Sequence, residues 1–200
     1  MNPTPYRTVA SSTFHEIVIE RSRFIGHCLE VTTEADAKAF VNQIREEHSQ
    51  ANHNCYAYRI GNDEHPIEYF NDHGEPGGTA GKPILGAIQR LKLTNTVVVV
   101  TRYFGGKKLG VRGLIEAYSQ AATGVLEKSG VIERIPKFEA ILVYDYSHHS
   151  LILHRLQQVE AEVVDTLFTD IITLKTTIPA TSRYLFEQLI QELPVKKYSI

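Results

Sequence analysis

The chain has 200 residues, 42% of them hydrophobic and 22% charged, with a formal net charge of -2; this composition excludes a disordered, collagen-like or low-complexity chain. Its longest uninterrupted aliphatic run, Val97 to Val100, falls far short of the roughly 18 apolar residues that suggest a membrane span, so no membrane partner is expected. Two cysteines, Cys28 and Cys55, without a CxxC pair build neither a disulfide framework nor a four-cysteine zinc site; because the N-terminal segment has no apolar stretch that a signal peptide would insert, the expected location is the cytoplasm.

All 13 glycines lie at or before Gly130. This shift predicts two domains, 1–135 and 136–200, joined around Glu133 to Pro136, where proline disfavours helix at the preceding residue. In the first, Phe14 to Ile19 and Arg23 to Val31 read as strands around a turn at Glu20 to Ser22. A helix begins after Thr33, an N-cap with Asp36 at capping-box distance, and carries the apolar stripe Ala37, Phe40, Val41 and Ile44. Asn54 to Ile60 and Ile67 to Asn71 predict two more strands. A glycine-rich loop from Asp72 leads to Pro83, which suits a first helical turn, with Ile84, Leu85, Ile88 and Leu91 on one face. Thr96 to Tyr103 holds four consecutive valines and reads as a strand buried on both faces. After a second glycine-rich loop, a helix carries Leu114, Tyr118, Ala121 and Val125 and stops at Gly130.

In the second domain, the alternation from Phe138 to Tyr146 predicts a strand, and Ser147 caps a helix carrying Ile152, Leu156 and Val159. Glu162 to Phe168 and Ile171 to Ile178 read as a hairpin; Thr181 opens a helix with Phe186, Leu189, Ile190 and Leu193; Val195 to Ile200 is the last strand. The order βαββαβ is the split, ferredoxin-like arrangement of an α+β chain.

From Pro76 to Leu114 there are seven basic residues and no acidic one, a charge of +7 against -7 over the rest of residues 1–136. Cations beside glycine-rich loops that open helices suit phosphate recognition, because a helix start offers free N–H groups and glycine lets an anion approach the backbone. The candidate anion contacts are Lys82, Arg102, Lys107, Lys108 and Arg112, with Thr79, Gly81, Gly105 and Gly106 in the loops. Neither loop is a nucleotide signature: Pro76 and Pro83 occupy the glycine and Ser/Thr positions of a P-loop, and Gly105, Gly106, Gly110 and Gly113 never give GxGxxG spacing. His53 and Cys55 lie two apart on a strand and share a face with Asp72, His73 or Glu75 within reach; zinc ligation or a thiol-imidazole pair stands against a buried thiol beside a hydrogen-bonded histidine. No metal motif supports the former, so no metal and no cofactor is expected. Asp72 and Glu75 read as a proton-transfer pair only by proximity; loop carboxylates more often cap backbone N–H groups. Tyr103, Phe104, Tyr69 and Phe70 flank the loops and read either as stacking surfaces for bases or as core.

The segments Ala51 to Gly61, Asn71 to Leu85 and Val97 to Ala122 together resemble the IMPACT/YigZ family, and the βαββαβ tail resembles the C-terminal domain of its bacterial members. The resemblance implies an N-terminal ribosomal protein S5 domain 2-like fold and a C-terminal domain like the last domain of elongation factor G. Eukaryotic relatives regulate translation by competing with a starvation-sensing kinase for its activator protein. The family pattern covers His53, Asn54, Cys55, Asp72, Glu75 and Tyr103, whose roles it does not specify, together with Thr79, Gly81, Arg102, Gly105 and Gly106. His73 departs from it where an acidic residue is common, and Arg112 where many bacterial members have glycine. The resulting expectation is a non-enzymatic translation-associated protein that binds RNA, or a ribosomal or protein partner, through the basic loops. The alternative is an enzyme on a small anionic or phosphorylated substrate, with His53 or Glu75 in proton transfer.

Overall fold

Four consecutive valines determine how the larger unit is layered. In the computed structural model, which describes residues 5–62 and 65–200, Thr96–Tyr103 (β6) is the middle strand of a five-stranded sheet. Its neighbours are Ser22–Glu30 (β3) and His53–Ile60 (β4), with Thr13–Ile19 (β2) and Ile67–Asn71 (β5) at the edges. Every neighbouring pair is antiparallel. Side chains alternate between faces along a strand, so Val98 and Val100 face one way and Val97 and Val99 the other. The first pair packs with Gly81–Arg90 (α2) and Gly110–Ser129 (α3) around Ile84, Ile88, Tyr118 and Val125. The second pair packs with Glu34–Glu47 (α1) around Phe40, Val41 and Ile44. Helices on both faces bury β6 in a sheet without a parallel pair; a fully buried valine side chain contributes about 1.5–3 kcal/mol over an exposed one.

Local signals place the ends of these elements. Thr33 Oγ1 accepts from the Asp36 N–H at 3.1 Å and donates to Asp36 Oδ2 at 2.6 Å, fixing the start of α1. Gly130, at φ 75°, ends α3. Glu20 and Arg21 both adopt positive φ in the two-residue turn between β2 and β3, the geometry that matches strand twist. Two short strands escape the sequence reading: Tyr6–Val9 (β1) pairs antiparallel with Val131–Arg134 (β7). Each has four residues, too few to establish a period. Their pairing is tied in by Thr8, whose Oγ1 donates to the Asn95 carbonyl at 3.2 Å.

The chain divides into two compact units, the larger being Tyr6–Arg134 and the smaller containing Ile135–Ile200; the first four residues of the N-terminal segment read above for export lie outside the described residues. The smaller unit runs Lys137–Tyr144 (β8), His149–Gln157 (α4), Glu162–Phe168 (β9), Ile172–Pro179 (β10), Arg183–Glu192 (α5) and Lys197–Ser199 (β11). Its antiparallel sheet has the order β11-β8-β10-β9. Leu142, Tyr144, Leu174, Ile152, Leu156 and Phe186 form its core. Ser147 does not cap α4, and Thr181 does not open α5: each lies inside a 3-10 turn that precedes the helix. Tyr146, expected to end β8, is in the first of these turns, where its hydroxyl donates to the Thr169 carbonyl at 2.6 Å.

Candidate anion-binding cleft

The two glycine-rich loops use their backbone N–H groups differently. In the first, Asp72 follows β5 and folds back over the start of α2. Its Oδ1 accepts from Ala80 N–H at 3.0 Å and Gly81 N–H at 2.8 Å, and its Oδ2 accepts from Gly78 N–H at 2.8 Å. A carboxylate of the chain therefore occupies the place at the α2 N-terminus that an external anion would take. Thr79 is also turned inward, its hydroxyl donating to the Pro76 carbonyl at 2.7 Å. A Cβ at Gly81 would come within 2.8 Å of the Asn71 backbone nitrogen, so glycine there serves close packing of loop on strand. The expectation that Thr79 and Gly81 present free donors to a ligand gives way to this internal capping.

In the second loop, α3 starts with no side-chain cap and no acidic residue in its first turn. Its first N–H groups lack intrahelical partners, as at any helix start, and the helix is 20 residues long. Gly105 is committed to packing: its N–H donates to Ser22 Oγ at 3.1 Å, and it abuts the Arg21 backbone. Gly106 and Gly110 have positive φ, 86° and 70°, which glycine adopts without a Cβ penalty.

The β4–β6 register brings His53 opposite Arg102, and the β3–β6 register brings Phe24 opposite Arg102. Arg102 is 5% exposed. Its Nη1 donates to Glu75 Oε1 at 2.7 Å, its Nη2 lies 3.4 Å from Ser22 Oγ, and its guanidinium lies over the rings of Phe24 and Phe104, 5.3 and 5.4 Å from their centroids. Its Nε has no hydrogen-bond partner. Arg102 is thus a desolvated partner of Glu75. Tyr118 donates to the same Glu75 oxygen at 2.8 Å, and His53 Nε2 lies 3.8 Å from it. Because a carbonyl only accepts, His53 Nδ1 carries the proton in its 2.9 Å bond to the His73 carbonyl. That leaves Nε2 on the Glu75 side.

Cys55 is fully buried. Its thiol donates to the Asp72 carbonyl at 2.9 Å, and burial pushes it up to about 12, too high for a thiolate nucleophile near neutral pH. Asn54 serves the sheet: its Oδ1 accepts from Thr101 Oγ1 at 2.7 Å, and its N–H donates to His73 Nδ1 at 3.1 Å. Burial, then the neighbouring Arg45 and His53, lowers the pKa of His73. Tyr103 accepts or donates at 2.9 Å with His48 on the α1 side, as part of a chain in which His48 Nε2 meets His27 Nε2 at 3.2 Å. No group of three or more His, Cys, Asp or Glu side chains among the described residues is arranged to hold a metal ion.

A cleft of about 460 Å3 opens where these parts meet. Its polar lining comes from Asn52, His53, Glu75, Arg102 and Lys108; Pro76, Phe104, Leu109, Val111 and Leu114 give it apolar walls; Gly110 brings in the start of α3. Of the five cations singled out from the sequence, Arg102 and Lys108 line it. Lys82 stays exposed on α2. Lys107 pairs with Glu20 at 2.7 Å and Arg112 with Glu116 at 2.9 Å, both exposed. Such surface pairs contribute about 0–1 kcal/mol and release their cations readily. Sequence reasoning misses Asn52 and counts Tyr118 only as part of an apolar stripe; a buried tyrosine needs a partner for its hydroxyl, and that is the available signal for Tyr118.

The Impact N-terminal domain model matches residues 20–126. IMPACT family member YvyE of Bacillus subtilis is 39% identical over 197 residues, 98% of this chain and 89% of that protein. IMPACT family member YigZ of Escherichia coli is 32% identical over 163 residues, 81% of this chain and 80% of that protein. A crystal structure described as that of a hypothetical protein superposes with a TM-score of 0.73 at 30% identity, covering 94% of this chain and 92% of the other.

Proposed function

From the premise that the chain belongs to the IMPACT family, we propose that it is a cytoplasmic, translation-associated regulatory protein that binds RNA at the α3 end of the cleft. The carrying observation is the contrast between two helix starts: α2 is filled by Asp72, while α3 is uncapped and opens beside Lys108 in the cleft. Backbone N–H groups, the helix dipole and nearby cations attract phosphate together. The segment of +7 charge adds long-range attraction. Family kinship supports the link to translation, and the cationic lining of the cleft supports RNA as the partner. The element order and sheet order of residues 136–200 support a ferredoxin-like C-terminal domain, and the resemblance supports an S5 domain 2-like fold for 1–135.

Binding of single-stranded RNA and co-sedimentation with ribosomes, each measured at several salt concentrations, tests the reading. Replacing Lys107, Lys108 and Arg112 by alanine should weaken RNA binding and flatten the log K against log salt slope by about 0.7 for each phosphate no longer neutralised. Unchanged affinity and slope would remove it.

A second reading has its own observation: His53, Glu75 and Arg102 line one cleft. With its Nδ1 proton held by the His73 carbonyl, His53 offers Nε2 for proton transfer on a phosphorylated substrate. Turnover of a phosphorylated compound that His53→Gln abolishes while binding persists would establish it; equal turnover by that variant would exclude it.

A further inference from the structure

Resting on the anion-binding reading of the same cleft, we propose that it takes one nucleotide at a time, with the phosphate at the start of α3 beside Lys108 and the base against Phe104.

The cleft has two chemically different parts. Its polar lining combines Lys108, buried Arg102 and the uncapped start of α3. Glu75 offsets one of the two formal cationic charges, leaving one, with helix N–H donors, for an oxyanion. A bare inorganic anion would use only this polar lining.

The rest of the lining is apolar: Pro76, Phe104, Leu109, Val111 and Leu114. Phe104 is 44% exposed and Val111 61% exposed, so apolar surface is left open in the same cleft as the cationic lining. The Arg102 guanidinium backs the Phe104 ring and polarises it. Asn52 spends its Oδ1 on the Phe104 N–H at 2.8 Å, which leaves the NH2 of its amide for an acceptor on a ligand. A flat heteroaromatic group joined to a phosphate matches this pairing of walls. The volume of about 460 Å3 lies within the range of about 300–1,000 Å3 for small-ligand sites. It holds one nucleotide and not a run of stacked bases. The ligand class is therefore a nucleoside monophosphate, either free or as the end of an RNA chain.

The test uses the full chain and calorimetric titration with adenosine and uridine 5'-monophosphate, the two nucleosides, inorganic phosphate and a 12-nucleotide single-stranded RNA. The monophosphates should bind, and should displace the RNA if it binds, with phosphate alone weaker by about tenfold or more, the scale of one base–aromatic stack. Phe104→Ala should remove that advantage, and Phe104→Tyr should retain it. Lys108→Ala should weaken monophosphate and phosphate alike. A melting curve for each variant separates loss of binding from loss of fold.

Displacement of the monophosphate by RNA carrying a terminal phosphate makes RNA ends the source; failure of that RNA to displace it makes the free nucleotide the source. The inference falls if phosphate binds as tightly as the monophosphates, or if Phe104→Ala leaves their affinity unchanged. It also falls if RNA binds and no monophosphate competes, an outcome in which the broader RNA-binding reading survives. Binding of none of these ligands defeats both.

Discussion

Arg102 and Glu75, 27 positions apart, form an ion pair at 2.7 Å with side chains 6% and 4% exposed. The pair joins the end of the central strand to the first glycine-rich loop, and Tyr118 joins it to α3. Three elements that flank the cleft are held by one carboxylate oxygen, so the shape of the cleft depends on Glu75 even where a ligand does not touch it.

Removing one partner of a buried pair leaves an uncompensated charge. Glu75→Ala should therefore destabilise the larger unit by about 3–5 kcal/mol. The double variant Glu75→Leu with Arg102→Met should recover a substantial part of the loss, because neither charge is then stranded. Urea unfolding followed by circular dichroism measures both. A double variant as unstable as Glu75→Ala would mean that the cost comes from packing.

Asp72→Ala leaves the N–H groups of Gly78, Ala80 and Gly81 without their acceptor. A cost of about 2–4 kcal/mol follows from losing a cap and leaving partly buried donors unpaired. Asp72→Asn keeps an oxygen for Ala80 and Gly81 and presents an amide to Gly78, so its loss should be smaller. Hydrogen exchange at the three amides should accelerate in the order wild type, Asn, Ala.

Two loop glycines should respond oppositely to alanine. At Gly105 a Cβ would overlap the carbonyl group of Arg21 in the β2–β3 turn, whereas at Gly77 nothing lies within 4 Å. Gly105→Ala should cost about 2 kcal/mol or more through forced backbone movement, and Gly77→Ala should stay within about 0.5 kcal/mol of wild type. Thermal melts distinguish the two directly.

Acid should weaken the fold through His27. Burial, and then the neighbouring His48, lowers its pKa from 6.5 to about 4, against a smaller opposing effect of Glu47. Its contribution is fully present above pH 6.5, where neither folded nor unfolded chain is protonated there. It declines as pH falls from 6.5 towards 4, because the unfolded chain takes up the proton first. His27→Gln should flatten the loss of stability across that window, as read from unfolding midpoints at successive pH values. An unaltered pH profile would assign the acid sensitivity to other groups.

The sequence by itself determined most of the local structure. The valines of β6, the Thr33 and Asp36 cap of α1, the apolar stripes of α2 and α3 and the stop at Gly130 are set by spacing and side-chain chemistry along a short stretch, so they are legible without the fold. The concentration of positive charge between Pro76 and Leu114 and the family motifs were legible in the same way. Tertiary structure alone decided what each charge does. Asp72 fills the α2 start, Arg102 is buried against Glu75, Tyr118 joins Glu75, and β1 finds β7, because each depends on partners brought close by strand register and helix packing. A free cation and a buried ion pair have the same letter in the sequence; burial and the neighbouring group, fixed only when distant segments meet, separate them.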